Sequence, residues 1–381
     1  MARRLHRIAI DARSVLDKKS GIGNYVAALL RHLVPMAEDM QFLLLRHPSA
    51  REPIIEHSRA TEIRLGGETK SMRTVFRLGR EHDFSRYDLY HGPADLIPLG
   101  VGCRWVVTIH DLMWFEAPAL ASAFLPVRVA NGLWYRSNIR RAVRGAERVI
   151  AISEATRAAM GRVFPDHVNK VHVVHHGIDP AVYAAARAGP RSLLDRWLSP
   201  AERYSLIVGQ GSPYKNHLGM VAAFVEATRD DPAHKLVLVR RFSRIDRAMS
   251  SLLARPDVAA RVIAIPSVTD LELLTLYRHA HMFLFASHCE GFGLPALEAM
   301  SLGTPVLGSR APAVAEIAGD AALLAEPSSH GDLVAKLRAL DRDTALRQRL
   351  IRAGAARVAQ FTWPAAAERT LSVYRDALAV G

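Results

Sequence analysis

Two carboxylates eight positions apart, Glu290 and Glu298, flank the turn Gly291-Phe292-Gly293-Leu294-Pro295. An apolar run, His281–Ala286, precedes the turn and is expected to be a buried strand, while Pro295 suits the first position of a helix. Strand, glycine turn and helix start together make an anion site, because open N–H groups and the helix dipole point into the turn. Carboxylates beside such a cradle repel phosphate, but they accept strong bonds from hydroxyl groups. A ligand with phosphates in the middle and polyols at both ends reconciles the two chemistries, and a nucleotide sugar has that form.

Other residues have similar potential. Gly209-Gln210-Gly211-Ser212-Pro213-Tyr214-Lys215-Asn216 follows an apolar strand and ends on a cation. It is not a P-loop, since Tyr214 precedes the lysine and Asn216 stands in place of Ser or Thr. Thr108-Ile109-His110-Asp111 falls where another strand stops, and an imidazole there can bond to a sugar hydroxyl in either tautomer. The alternative is a histidine satisfied locally by Asp111. His91, after Asp88-Leu89-Tyr90, is a second strand-end candidate, with acceptor positioning as its role. Gly21-Ile22-Gly23 hints at a dinucleotide site, but a third glycine is absent and the second strand ends at Arg46 rather than at an acid, which argues against a dehydrogenase. Those glycines form either a close-approach turn at a ligand or a plain turn before a helix. The histidines show no zinc-type spacing. Cys103 and Cys289, the only two cysteines, cannot form a disulfide framework and fit a reducing compartment.

These residues need elements to hold them. Strands are expected at Arg7–Arg13, Gln41–Arg46, Tyr87–His91, Arg104–Asp111, Arg148–Ser153 and Val171–His176, with helices at Asn24–Val34, Leu125–Val143 and Glu154–Val163. Alternation of this kind implies a parallel sheet covered on both faces. A polar, Arg-rich piece to about Pro200 looks like an interdomain crossing. A second cycle has strands at Tyr204–Val208, Lys235–Val239, Arg261–Ile265, His281–Ala286, Pro305–Gly308 and Ala321–Leu324. Its helices are expected at Leu218–Thr228, Arg244–Leu253, Asp270–Ala280, Pro295–Ser301 and Ala313–Ala318. Helical periodicity then runs from Gly331 to Val380, broken near Phe361-Thr362-Trp363-Pro364. A cap at Thr269 or Asp270 is expected where the third strand of this cycle ends. The expected fold is α/β, with two Rossmann-like doubly wound parallel-sheet domains facing across a cleft at the carboxyl ends of their strands. The expected divisions are 1–185, 200–362 and a terminal helix, 363–381.

Glu290 and Glu298, with Gly-Phe-Gly-Leu-Pro between them, resemble the signature of retaining glycosyltransferases of family 4, which have the GT-B fold. The resemblance covers essentially the whole chain. It implies that Glu290 contacts the transferred sugar and Glu298 the ribose. Gly291, Phe292, Gly293 and Leu294 would border the donor. Lys215 would pair with the diphosphate, and His110 would contact the donor sugar. Gly23 would lie beside the diphosphate and acceptor, and backbone atoms near Val268 would meet the nucleobase. A second basic residue commonly accompanies the lysine in that family, but Gly209 and Tyr214 occupy its usual places here. Arg240 or Arg241, where the family more often has glycine, would supply that charge, unless the pair is a solvated strand end. The resemblance also implies that no metal or other cofactor is needed, and that the terminal helix returns to the first domain.

The opening Ile10-Asp11-Ala12-Arg13…Gly21-Ile22-Gly23 looks most like members described as mannosyltransferases of surface polysaccharide assembly. GDP-mannose is the donor suggested, with UDP sugars as alternatives and a saccharide, free or lipid-linked, as acceptor. A small-molecule acceptor is another alternative, and so is a nucleotide-sugar-binding protein without turnover. The net charge of +13 could serve nucleic acid, an anionic membrane or a diphosphate. No nucleic-acid motif accompanies it, and aromatics are not interleaved with the basic runs. Arg73, Arg77 and Arg80 share a helical face, and Arg136, Arg140, Arg141 and Arg144 cluster with apolar residues. This suits either an anionic bilayer surface or a solvated basic face. The apolar stretch at the start is too short for a signal-peptide core, and no run approaches the ~20 residues needed to span a bilayer. The expected location is cytoplasmic, soluble or peripheral on the inner face of the membrane.

Overall fold

A computed structural model describes residues 4–17, 21–122, 124–179, 183, 189–240 and 246–379. The chain forms two compact units. One comprises Met1–Glu116, Val129–Gly177 and Phe361–Gly381, and the other Ala117–Arg128 and Ile178–Gln360.

The first unit is built on seven strands, β1 (His6–Asp11), β2 (Met40–Arg46), β3 (Ala60–Arg64), β4 (Leu89–Gly92), β5 (Arg104–Ile109), β6 (Arg148–Ala151) and β7 (Val171–Val173). All pair in parallel, in the order β3-β2-β1-β4-β5-β6-β7. Helices α1 (Gly21–Met36), α2 (Met72–Glu81), α3 (Leu125–Gly145) and α4 (Glu154–Val163) make the crossovers. Period-2 alternation sends the two faces of β1 into different cores. Ile8 and Ile10 pack with Leu29 and Leu33 of α1, whereas Ala9 joins Val75, Leu78, Ile139 and Val143. The C-terminal helix (Trp363–Ala379) buries Trp363, Leu371 and Tyr374 against the α1 side. Gly177, where the chain leaves the unit, has no room for a β-carbon, because the backbone of Thr362 and Trp363 occupies that place.

The second unit has six parallel strands, β8 (Tyr204–Val208), β9 (Lys235–Val239), β10 (Val262–Ile265), β11 (Met282–Phe285), β12 (Val306–Ser309) and β13 (Ala322–Ala325), in the order β10-β9-β8-β11-β12-β13. Its helices are α5 (His217–Ala227), α6 (Arg247–Leu253), α7 (Asp270–His279), α8 (Leu294–Ser301), α9 (Pro312–Ala318), α10 (His330–Arg342) and α11 (Thr344–Val358). Ile207, Leu236 and Leu284 of the sheet pack beneath Met220 and Phe224 of α5 and Leu333 and Leu337 of α10. Thr269 caps α7, with Glu272 returning the bond as a capping box.

Two elements fall outside the expected pattern. No residue of β3 is buried and Ala-Thr-Glu-Ile-Arg has no apolar run, as suits an edge strand. α2 follows it, capped by Ser71. The single helical run expected from Gly331 is also interrupted at Asp343, whose side chain caps α11. In each sheet the strand order reverses at one place, between β1 and β4 and between β8 and β11. Ligands of open parallel sheets bind at such reversals, beyond the carboxyl ends of the strands.

Candidate functional site

In the second unit, both segments singled out by their chemistry emerge at the reversal. β8 runs into the Gly209–Ser212 turn and a 3₁₀ turn at Pro213–Lys215. Asn216 then takes a left-handed conformation, φ 53°, and starts α5. Its Nδ2 holds the turn by donating to the carbonyls of Ala286 (3.1 Å) and Pro327 (2.8 Å). β11 leads to Ser287–Gly293, whose His288 N–H donates to the Tyr214 carbonyl at 2.7 Å. Pro118–Ala121, a short helical turn, also packs against Pro213–Lys215. The two loops therefore form one rigid rim.

On that rim, Lys215 Nζ donates to Glu290 Oε1 at 2.7 Å, with both side chains about nine-tenths buried. The ammonium also lies 5.0 Å from the Tyr214 ring centre and 5.4 Å from that of Phe285. Gly293 has φ 115° and precedes α8, so the first N–H groups of that helix are turned to the same rim. Phe292 is buried, while Gly291 and Leu294 are half-buried.

Glu298 stands one turn into α8 and accepts from the Tyr183 hydroxyl at 3.3 Å. Burial raises its carboxyl above the ordinary value, opposed by the hydroxyls of Tyr277 and Tyr183, which favour the ionised form. Neither tyrosine was expected at the site. Tyr183 belongs to a stretch that looks like a crossing, and Tyr277 reads as core of α7. A phenol reaching a helix acid from a distant part of the chain leaves no spacing signal.

Arg240, at the end of β9, is buried and ion-paired with Asp246, the cap of α6. Its guanidinium fills the place where a β-carbon of residue 211 would stand, so only glycine there permits the approach. His217 sits beside both cations, and burial, Arg240 and Lys215 push its pKa down to about 3. Arg240 and Lys215 thus approach the same glycine turn from two strands. Arg241 lies outside the described residues. Val268 is half-buried in the loop between β10 and α7.

The first unit places His110 just past β5. Its N–H donates to Asp95 Oδ1 at 2.7 Å, and Nε2 lies 2.8 Å from the Pro93 carbonyl. A carbonyl only accepts, so Nε2 carries the proton and, in the neutral ring, Nδ1 is the acceptor. Asp95 has φ 65° and also takes Lys70 Nζ at 2.5 Å. Burial works against its ionisation, but Lys70 and His110 hold its pKa below the usual carboxylate range. The sequence signal for Asp95 was the Gly92-Pro93-Ala94-Asp95 turn after a strand, an environment where Asp tolerates positive φ. His110 meets the Tyr25 ring edge-on at 5.4 Å, and Tyr25 stacks on His176 at 4.5 Å.

Two expected residues occupy different settings. His91 lies in the interior, with Nε2 2.9 Å from Thr108 Oγ1 and Nδ1 2.7 Å from the Tyr374 hydroxyl. Burial, aided by His110, lowers its pKa to about 3. Neither ring nitrogen is left to meet an acceptor hydroxyl, which corrects the acceptor-positioning role expected of His91. Gly23 lies buried within the first turn of α1 rather than in a loop before it. Asp11 is committed to Arg13, which donates to it through Nη2 (2.6 Å) and Nε (2.8 Å). Neither Cys103 nor Cys289 forms a disulfide, and burial pushes the Cys103 thiol up to about 12. Among the described residues, no cluster of three His, Cys, Asp or Glu side chains could hold a metal.

Two family models match the chain, Glycosyltransferase Family 4 over residues 19–182 and Glycosyl transferases group 1 over residues 196–357. The O-antigen chain mannosyltransferase B of Escherichia coli is 26% identical, over 77% of this chain and 75% of its own. The D-inositol 3-phosphate glycosyltransferase of Kineococcus radiotolerans is 28% identical, over 94% and 91%. Among solved structures, a sucrose-phosphate synthase from Thermosynechococcus elongatus shares the fold, with a TM-score of 0.74 and 22% identity over 99% and 100% of the two chains.

Proposed function

Because this chain belongs to the glycosyltransferases of family 4 and group 1, with the GT-B fold, we propose that it moves a hexosyl unit from a nucleoside diphosphate sugar to a saccharide acceptor, with retention. The observation that carries this is the Lys215–Glu290 pair at the β8/β11 reversal, one helical turn from the half-buried acid Glu298. In the proposal the diphosphate draws Lys215 away from Glu290 and lies on the open N-terminus of α8, so the protein meets its charge without a metal. Arg240 adds the second cation that Gly209 cannot supply. Glu298 exchanges the Tyr183 hydroxyl for the ribose, and backbone near Val268 meets the base. Glu290, freed from Lys215, supports positive charge developing at the anomeric carbon. His110, its tautomer fixed by Pro93, accepts from a hexose hydroxyl through Nδ1. Leaving-group oxygen takes the acceptor's proton on the same face, which preserves configuration without a covalent intermediate.

GDP-mannose is the donor we favour. A mannosyltransferase relative at 26% identity supports it, as does the Asp11–Gly23 opening. The acceptor we favour is lipid-linked, in surface polysaccharide synthesis on the inner face of the membrane. The test is nucleotide release from GDP-mannose, UDP-glucose and other donors, with saccharide acceptors and with EDTA. GDP-mannose should turn over, EDTA should change nothing and the product should be an α-mannoside. Turnover of UDP sugars alone would replace the donor, and a β product would remove retention. An Arg240→Ala, Arg241→Ala double variant with wild-type donor affinity would remove the second cation.

A further inference from the structure

Twelve large apolar side chains are exposed among the described residues, and four of them, Met72, Phe76, Val129 and Leu133, lie on α2 and α3 of the first unit. Leu133 is 68% exposed and Met72 66%. The Phe76 and Trp134 rings meet at 5.9 Å, so the two helices present one surface rather than two. Isolated exposed apolar residues need no explanation, but a contiguous set does.

The charge around this set is mainly positive, with Glu81 at the end of α2 the acid on the two helices. α3 carries five arginines in 21 residues and no Asp or Glu. Arg77, Arg80, Arg140 and Arg144 are exposed. Among the described residues, none of these four is within ion-pair distance of a carboxylate, whereas Arg73 is tied to Glu81 at 3.2 Å. Beside Leu133 a groove of about 730 Å³ opens, lined chiefly by Trp105, Arg136, Arg140, Arg141 and Arg144. Trp105 stands at the start of β5 and His110 beyond its end, so roughly 16 Å of strand separates the groove from the imidazole. The groove therefore stands apart from His110.

We propose that this α2–α3 face is a docking surface for an anionic lipid bilayer. Met72, Phe76, Val129 and Leu133 enter the headgroup boundary, and the arginines meet lipid phosphates, one of them held in the groove. Exposed apolar side chains beside four arginines without a carboxylate partner, with no acid on α3, match that surface in both polarity and charge. An acidic protein would be matched by the charge alone and would leave four large apolar side chains unexplained. The inference rests on the proposed function only in its purpose, since a lipid-linked acceptor lies where the surface would hold the enzyme.

The test is co-sedimentation of the full chain with vesicles of phosphatidylcholine alone and with phosphatidylglycerol added. Wild type should prefer the anionic vesicles, with binding weakened by salt. Replacing Arg77, Arg80, Arg140 and Arg144 by Gln should lower partitioning several hundredfold to about a thousandfold, at about fivefold for each arginine. A matched variant of the second unit, with Arg338, Arg342, Arg349 and Arg352 replaced by Gln, removes the same charge and should stay within about twofold of wild type. Met72→Ser with Leu133→Ser should weaken binding without changing its salt dependence. Equal loss in both arginine variants would show non-specific attraction to a basic protein and overturn the proposal. No preference for anionic vesicles would overturn it too, as would displacement by soluble poly-glutamate as effective as vesicles of equal charge. Nucleotide binding by the same variants, read as a thermal shift with GDP, should be unchanged. Its loss in wild type would fail the donor assignment and leave the vesicle result standing.

Discussion

At the scale of single residues, the Lys215–Glu290 pair accounts for two opposite effects of one change. Glu290→Gln removes the charge that supports the transition state and also the one that neutralises Lys215. Turnover should fall roughly a hundredfold or more, while GDP binding becomes no weaker and is expected to tighten. Steady-state kinetics beside calorimetric titration checks both, and weaker GDP binding in this variant would contradict the competition. Glu298 gives the reverse pattern. Its carboxyl is raised by burial, so the ionised form costs stability in the folded state at neutral pH. That cost is absent below the carboxylate range, where the group is protonated folded or unfolded, and appears as pH rises through the raised value. Glu298→Gln should therefore raise the melting temperature at pH 7–8, with the gain vanishing toward pH 4, while nucleotide affinity drops about tenfold. The acids and Lys215 are readable from the chain because glycines and a helix start surround them. Tyr183, Tyr277 and Asp246 are not, since each reaches the site through a fold contact between residues with no shared motif.

At the scale of elements, long apolar runs gave away the strands that lie inside each sheet, and helix periodicity gave the crossovers. β3 escaped because an edge strand buries neither face fully, whereas α2 was legible only as the helical face shared by Arg73, Arg77 and Arg80, without bounds. His91 looked like a site residue for the same reason that it is buried. It sits at a strand end next to the reversal, and only the C-terminal helix, which brings Tyr374, closes it off. That helix depends on a close approach at Gly177. Gly177→Val should force the Thr362–Trp363 backbone away, costing at least about 2 kcal/mol by denaturant unfolding. It should also release Trp363 and Tyr374 from the core, read as a change in tryptophan fluorescence. A variant as stable as wild type would show that the helix tolerates a different path.

At the scale of the whole molecule, buried neutral histidines and net charge act together on stability. His91 and His217 are both held to about 3, with burial the main cause, far below the ordinary 6.5. Their contribution is fully present above pH 6.5 and is lost as pH falls from there toward 3, because the unfolded chain takes up protons that the folded one refuses. The melting temperature should drop by several degrees between pH 7 and pH 5, and less steeply in His217→Gln. A flat profile over that range would mean that these rings are not held neutral. The two-unit α/β architecture was readable from strand and helix alternation. The membership of Ala117–Arg128 in the second unit was not, because it depends on packing near Pro213–Lys215 and has no composition of its own.

Calorimetric titration with GDP, UDP and ADP, on wild type and Lys215→Met, tests the donor assignment most directly. One of the three should bind wild type at micromolar concentration, its monophosphate should bind far more weakly, and Lys215→Met should lose at least tenfold. Binding of none of them, or equal binding by both proteins, would contradict a diphosphate held at Lys215.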